Sequence, residues 1–194
     1  GRGFNGGLGE NLNLPHGGLP TQPGGCCGYH QPSQDFVNAF QTNNGLPYLD
    51  NHNAQEVKND QGIESSAPFT PHTGPLDPRL DWTVGRRGIP YLDWGPHPGK
   101  AWIRDQNYAG PFSPKKNVYY KANEGVLTEG TSRQLSANNT RIIRFADVLL
   151  LAAETEAELG SLEKAREYVN LIRKRAANPA GFVKNPDGSP AANY

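Results

Sequence analysis

Between Thr140 and Ala177 the apolar residues recur at helical spacing. In RIIRFADVLLLAAETEAELG, Ile142, Ala146, Leu149, Ala153 and Ala157 fall on one row, with Phe145, Val148, Ala152 and Leu159 on a second beside it. The polar remainder is a narrow strip of Arg144, Asp147, Glu154 and Glu158, so the pattern predicts a helix buried on most sides. Gly160 supplies the left-handed residue that ends a helix, and Ser161 is placed to cap the next with its hydroxyl. The second helix carries Leu162, Ala165, Val169, Ile172 and Ala176 on one face, with Glu163, Glu167 and Lys174 opposite, and Pro179 stops it. Together they predict an antiparallel hairpin near 140–177. Its surface ion pairs would be Arg144–Asp147, Glu154–Arg166 and Asp147–Arg173, worth ~0–1 kcal/mol each.

The spacing Gly160-x-Leu162-x-x-Ala165-x-x-Tyr168 is that of the second half of a tetratricopeptide-like unit. A single unit cannot bury its own apolar faces and needs other helices beside it. No second copy has this spacing, so the neighbours are expected from a degenerate unit or from a remainder of its own chain. The absence of methionine and the start at Gly1-Arg2-Gly3 fit a fragment of a longer reading frame.

Elsewhere the periods are short. Residues 1–30 carry glycine or proline every few positions and read as a loop segment. Ser33 is placed to cap a short helix whose apolar face is Phe36, Val37 and Phe40, ended by a tight turn at Asn44-Gly45. Leu80, Trp82 and Val84 alternate as a half-buried strand would, and Asn117 to Tyr120 is a second candidate strand. Ser132 to Asn139 is a polar lead-in to the first long helix. The expected fold class is mainly α with long irregular loops and few short strands. Its expected divisions are a loop segment 1–30, a body 31–183 and a tail 184–194.

Composition sharpens this picture. With 35% hydrophobic residues, 23 glycines and 17 prolines, mostly before residue 115, the core is expected to lean on the C-terminal helices. Lys plus Arg and Asp plus Glu balance at 19 each, without a long basic run, which argues against nucleic acid as a partner. The longest apolar run, Val148 to Ala153, is too short to span a bilayer. The adjacent Cys26 and Cys27 lack zinc-site spacing and read as free or locally paired thiols in a loop.

The chemistry concentrates between Trp82 and Tyr120. Trp82, Trp94 and Trp102, with Tyr91 and Tyr108, offer flat faces on which sugar rings stack, and Asp93 and Arg104 are placed to hydrogen-bond hydroxyls. The expected ligand-binding set is Tyr91, Asp93, Trp94, Trp102 and Arg104. The same aromatics would equally serve to pin a long loop onto the body. Asp77, Asp81, Asp93 and Asp105 hold the carboxylates that glycoside hydrolysis would need. However, the five histidines lack metal-ligand spacing, and no nucleophile elbow, phosphate loop or dinucleotide fingerprint occurs. An enzyme is the poorer expectation, and neither cofactor nor metal is implied.

Four phrases resemble landmarks of one family. They are Gln31-Pro32-Ser33-Gln34-Asp35-Phe36-Val37-Asn38-Ala39-Phe40 with Asn44-Gly45-Leu46-Pro47; Asp77-Pro78-Arg79-Leu80; Ile143-Arg144-Phe145-Ala146-Asp147-Val148-Leu149-Leu150; and Asn170-x-Ile172-Arg173-x-Arg175-Ala176. In this order they resemble the C-terminal portion of the SusD/RagB family of nutrient-binding lipoproteins, over roughly residues 31 to 183. The resemblance implies a non-catalytic protein of the cell outer membrane that captures oligosaccharide, or in some branches peptide, for a TonB-dependent, SusC-like transporter. It implies tetratricopeptide-like helix pairs supporting ligand-holding loops. The family's lipidated cysteine has no counterpart at Cys26 or Cys27, and no binding residue transfers by motif.

Overall fold

The computed structural model describes residues 12–17, 21–24, 27–130, 135–139 and 141–194. Most of the glycine-rich start, Cys26 and part of the Ser132–Asn139 lead-in lie outside the described residues. Regular structure is mainly α, set among long irregular loops. The helices are α1 (Gln34–Asn38), α2 (Gln106–Ala109), α3 (Phe145–Glu158) and α4 (Leu162–Ala176). Among the described residues, six two-residue strands pair antiparallel in sequence order: β1 (Thr42–Asn43) with β2 (Leu46–Pro47), β3 (Val84–Gly85) with β4 (Ser113–Pro114), and β5 (Thr128–Glu129) with β6 (Leu135–Ser136). The chain divides into two compact units, residues 1–138 with 182–194, and residues 139–181.

In the first unit, local signals set the short elements. The Ser33 hydroxyl accepts the Phe36 N–H at 3.1 Å and starts α1, which buries Val37 and leaves Phe36 largely exposed. Asn44 and Gly45, at φ 50° and 72°, are both left-handed, the geometry that joins β1 to β2 through two residues. Two other expectations are corrected. Leu80–Trp82 is a 3-10 turn instead of a strand, because Asp77 accepts the Arg79 N–H at 2.9 Å and the Thr83 N–H returns to the Leu80 carbonyl at 2.8 Å. Asn117–Tyr120 is no strand either: Asn117 at φ 65° breaks the extended run, and Tyr120 leads into a 3-10 turn at Lys121–Asn123.

This loop-rich unit contains both apolar clusters. One gathers Val37, Val57, Leu76, Leu80, Val84 and Phe112; the other gathers Leu14, Tyr91, Trp94, Trp102, Val118 and Tyr119. The expectation that the core leans on the C-terminal helices is therefore overturned. These residues come from separate loops and short elements, so a core forms without any sustained period. The last residues close onto the same unit, with the Leu76 N–H donating to the Asn193 carbonyl at 2.8 Å and the Tyr194 hydroxyl to the Gly45 carbonyl at 3.1 Å.

The second unit is a helical hairpin. Helix α3 begins at Phe145, because the Asp147 carboxylate accepts the Arg144 N–H and its guanidinium, each at 2.9 Å. Gly160 at φ 84° makes the expected left-handed exit. Ser161 occupies the cap position of α4, but its side chain makes no capping bond, since its backbone (ψ 63°) lies outside the extended region that aims the hydroxyl. Helices α3 and α4 pack against each other. Arg166 pairs with Glu163 on its own helix instead of reaching Glu154. Ala153, Ala165, Ile172 and Ala176 are buried, whereas Ile142, Phe145 and Leu159 are 90%, 75% and 78% exposed. Burial of α3 on most sides thus fails in this chain, because one partner helix covers one side only.

Candidate functional site

The residues expected to form an aromatic platform are interior. Tyr91 is fully buried and its hydroxyl donates to the Pro114 carbonyl. Trp94 is buried with its indole N–H on the Tyr119 carbonyl at 3.0 Å. Trp102 is buried edge-on against Tyr91 and His97, at ring separations of 5.5 and 5.2 Å. A large ring becomes core once its polar handle finds an internal acceptor, and for Tyr91 and Trp94 a loop carbonyl supplies one. These three side chains therefore present no open face, and the reading of them as stacking surfaces is corrected. Arg104 is exposed, but its guanidinium bonds the Cys27 carbonyl at 3.0 Å and lies 4.5 Å over the Tyr29 ring, outside the cleft described below. Cys27 is disulfide-bonded, which removes the free-thiol reading for it.

Charged groups are buried among these rings. Asp81 and Arg86 pair at 2.7 Å with both side chains nearly inaccessible. The Lys115 ammonium donates to the Asp81 and Pro90 carbonyls and lies 5.8 Å over Trp82 and 5.6 Å over Tyr91. Burial lowers the Lys115 pKa to about 8 against the pull of Asp81. His97 receives the Gly99 N–H on Nδ1 at 3.0 Å, so Nε2 carries the proton toward Ser113 Oγ at 2.8 Å. Burial, helped by the Lys115 charge, lowers the His97 pKa to about 3.

Above this network lies a cleft of about 190 Å³, partly open to solvent, lined among others by Trp82, Leu92, Asp93, Lys115, Tyr120 and Phe182. Its geometry starts from the tight loop 90–96. Leu92 and Gly95 are left-handed at φ 54° and 92°, and the Tyr91 N–H closes onto the Gly95 carbonyl at 2.8 Å. That loop turns Tyr91 and Trp94 inward and leaves Asp93 exposed and Leu92 half-buried. Both Asp93 oxygens accept backbone N–H groups, from Lys121 at 2.6 Å and Ala122 at 2.9 Å, which fixes the segment carrying Tyr120. Trp82 and Tyr120 are 37% and 44% exposed.

Of the expected set, only Asp93 lines this cleft. Tyr91 supports it through Lys115, and Trp94 through the Tyr119 carbonyl beside Tyr120. Trp82 was named among the flat faces but left out of that set, and Tyr120 and Phe182 were not named for binding. Trp82 had a legible signal, an aromatic beside Asp81 within the aromatic-rich stretch. Phe182 and Lys184 lie about a hundred residues further along the chain than Trp82, and nothing in the sequence brings them to it.

The four candidate carboxylates all hold structural partners. Asp77 binds Arg79, Asp81 binds Arg86, Asp93 the turn at Lys121, and Asp105 the Asn107 N–H at 2.9 Å. Among the described residues no group of His, Cys, Asp and Glu is arranged to hold a metal, and no helix is long and apolar enough to cross a membrane.

Comparison with curated proteins returns no match. A family sequence model described as "SusD family" matches residues 3–192, further at both ends than the landmarks at 31–183. Members of that family are generally non-catalytic binding proteins, typically associated with the outer membrane and partnered with SusC-like transporters. With nearly its whole length matched, the chain belongs to the SusD family, whose role is nutrient binding.

Proposed function

We propose that this protein captures an oligosaccharide at the cell surface for delivery to a TonB-dependent transporter, holding one sugar ring in the cleft between Trp82, Tyr120 and Phe182. The observation that carries this reading is a pair of partly exposed aromatics, Trp82 and Tyr120, bordering one cleft with an acidic side chain, Asp93, at its edge. A sugar ring has an apolar C–H face that stacks on such a ring and hydroxyls that need polar partners at the edge. At about 190 Å³ the cleft is smaller than the roughly 300–1,000 Å³ that encloses a drug-sized ligand, so it grips a single ring of a longer chain. Tyr91 and Trp94 act here as the rigid floor that holds the cleft open.

In this account the helical hairpin is a tetratricopeptide-like scaffold. Its exposed Ile142, Phe145, Leu151 and Leu159 are the surface on which further helices pack. The test is a panel of neutral and acidic oligosaccharides beside a panel of short peptides. The reading expects glycan binding that weakens in Trp82→Ala and Tyr120→Ala but not in Tyr108→Ala, a ring 85% exposed and outside the cleft. Binding of peptides alone, or glycan binding indifferent to Trp82 and Tyr120, would reject it.

A further inference from the structure

The cleft has more positive than negative side chains in its lining. Its ionisable lining is Asp93, Lys115 and Lys184. Asp93 already accepts two backbone N–H groups, which draw on its oxygens and fix it in place. Lys115 is a buried cation whose carboxylate neighbour, Asp81, is held by Arg86 at 2.7 Å. Its ammonium spends two donors on carbonyls and faces two rings, none of which carries a full negative charge. Lys184 is exposed, lies 5.8 Å from the Phe182 ring, and has no carboxylate within ion-pair distance among the described residues. A recess with apolar walls concentrates such a field and favours an anionic ligand.

From this we infer that the sugar ring taken by the cleft bears a carboxylate, a uronic acid, with Lys184 at the rim as its ion-pairing partner and Lys115 supplying a fixed positive field from below. This rests on the reading of the cleft as a glycan site and names the class of glycan. A uronate suits the lining because one molecule offers an apolar ring face to Trp82 and an edge charge to the lysines. A neutral sugar leaves Lys184 without a counter-ion, and a bare peptide carboxylate leaves the exposed aromatics without a ring to stack on.

The experiment is calorimetric titration of the protein with uronic oligosaccharides of the galacturonate, glucuronate, mannuronate and guluronate types. Each is paired with its own methyl ester, which keeps the ring and removes the charge. Neutral gluco- and manno-oligosaccharides and triglutamate complete the set. At least one acid is expected to bind roughly fivefold tighter than its ester, the size of one well-placed exposed ion pair. That margin should shrink in added salt and vanish in Lys184→Gln, while Trp82→Ala weakens acid and ester alike. Acids and esters binding equally, or neutral glycans binding better than any acid, overturns the inference and leaves glycan capture standing. No sugar binding at all overturns both, and triglutamate binding as well as the acids assigns the lysines to a peptide.

Discussion

In residues 27–130 little backbone is helix or strand, yet Val37, Val57, Leu80, Val84 and Tyr91 are completely inaccessible. In residues 145–176 nearly every residue is helical, yet Phe145, Leu151, Leu159 and Leu162 are more than half exposed. Regularity and burial are therefore separate properties in this chain. A helix satisfies its own backbone hydrogen bonds, so the hairpin needs only a narrow seam of Ala153, Ala165, Ile172 and Ala176 to hold it. Irregular loops must find partners for each polar group, and they do so by enclosing Asp81, Arg86, His97 and Lys115 with the aromatics. The loop-rich unit is thus closely packed where its lack of regular structure suggested slack, and a packed floor suits a binding cleft.

The contrast breaks most directly at the buried indoles. Trp94→Ala should destabilise the loop-rich unit by about 3–5 kcal/mol in urea unfolding, as loss of a packed core aromatic does. A loss below about 1 kcal/mol would place Trp94 at a surface and restore it as a ligand contact. Next comes Asp81→Asn, which leaves Arg86 and Lys115 buried without a negative neighbour. Removing one partner of a buried pair costs about 3–5 kcal/mol, and unfolding midpoints of this variant measure it.

Acid sharpens the same distinction. His97 is neutral in the folded protein down to about pH 3, whereas in the unfolded chain it takes a proton near 6.5. Its contribution to stability is therefore complete above pH 6.5 and is lost as the pH falls from there toward 3. Lys115 adds a trend of the same sign at the alkaline end. Its folded pKa of about 8 lies below the ordinary 10.5, so stability from this group rises as the pH climbs between the two. In His97→Gln the acid-side slope should flatten, read from unfolding midpoints across pH. The hairpin should respond least: Phe145→Ala, at a position 75% exposed, is expected to change its helix unfolding by less than about 0.5 kcal/mol. A larger loss would show that Phe145 already has a packing partner.

How much of this was legible follows from the range of each signal. Several signals contained within a few residues read correctly, among them Ser33 as a cap, Asn44-Gly45 as a left-handed turn, Gly160 as a helix exit and Arg144 with Asp147 as a pair, while Ser161 as a cap did not. The two long helices announced themselves by period. The core did not, because Leu14, Tyr91, Trp102 and Val118 share a cluster only after several turns have been made. The aromatics between Trp82 and Tyr120 marked the right region for chemistry but not which of them face outward. That choice is made by Leu92 at φ 54° and by carbonyls such as those of Pro114 and Tyr119, none of which a sequence displays. Lys184 entered the cleft from the segment read as a tail, and Phe182 from the end of the body just before it.

Because the protein has three tryptophans and two of them are sealed inside, its intrinsic fluorescence gives the most direct test of where ligand sits. Titrating the wild-type protein with an oligosaccharide it binds should shift the emission, and the shift should disappear in Trp82→Phe while the unfolding midpoint stays put. An unchanged shift in Trp82→Phe would put the ligand against Trp94 or Trp102 and contradict the division between a buried floor and an open cleft.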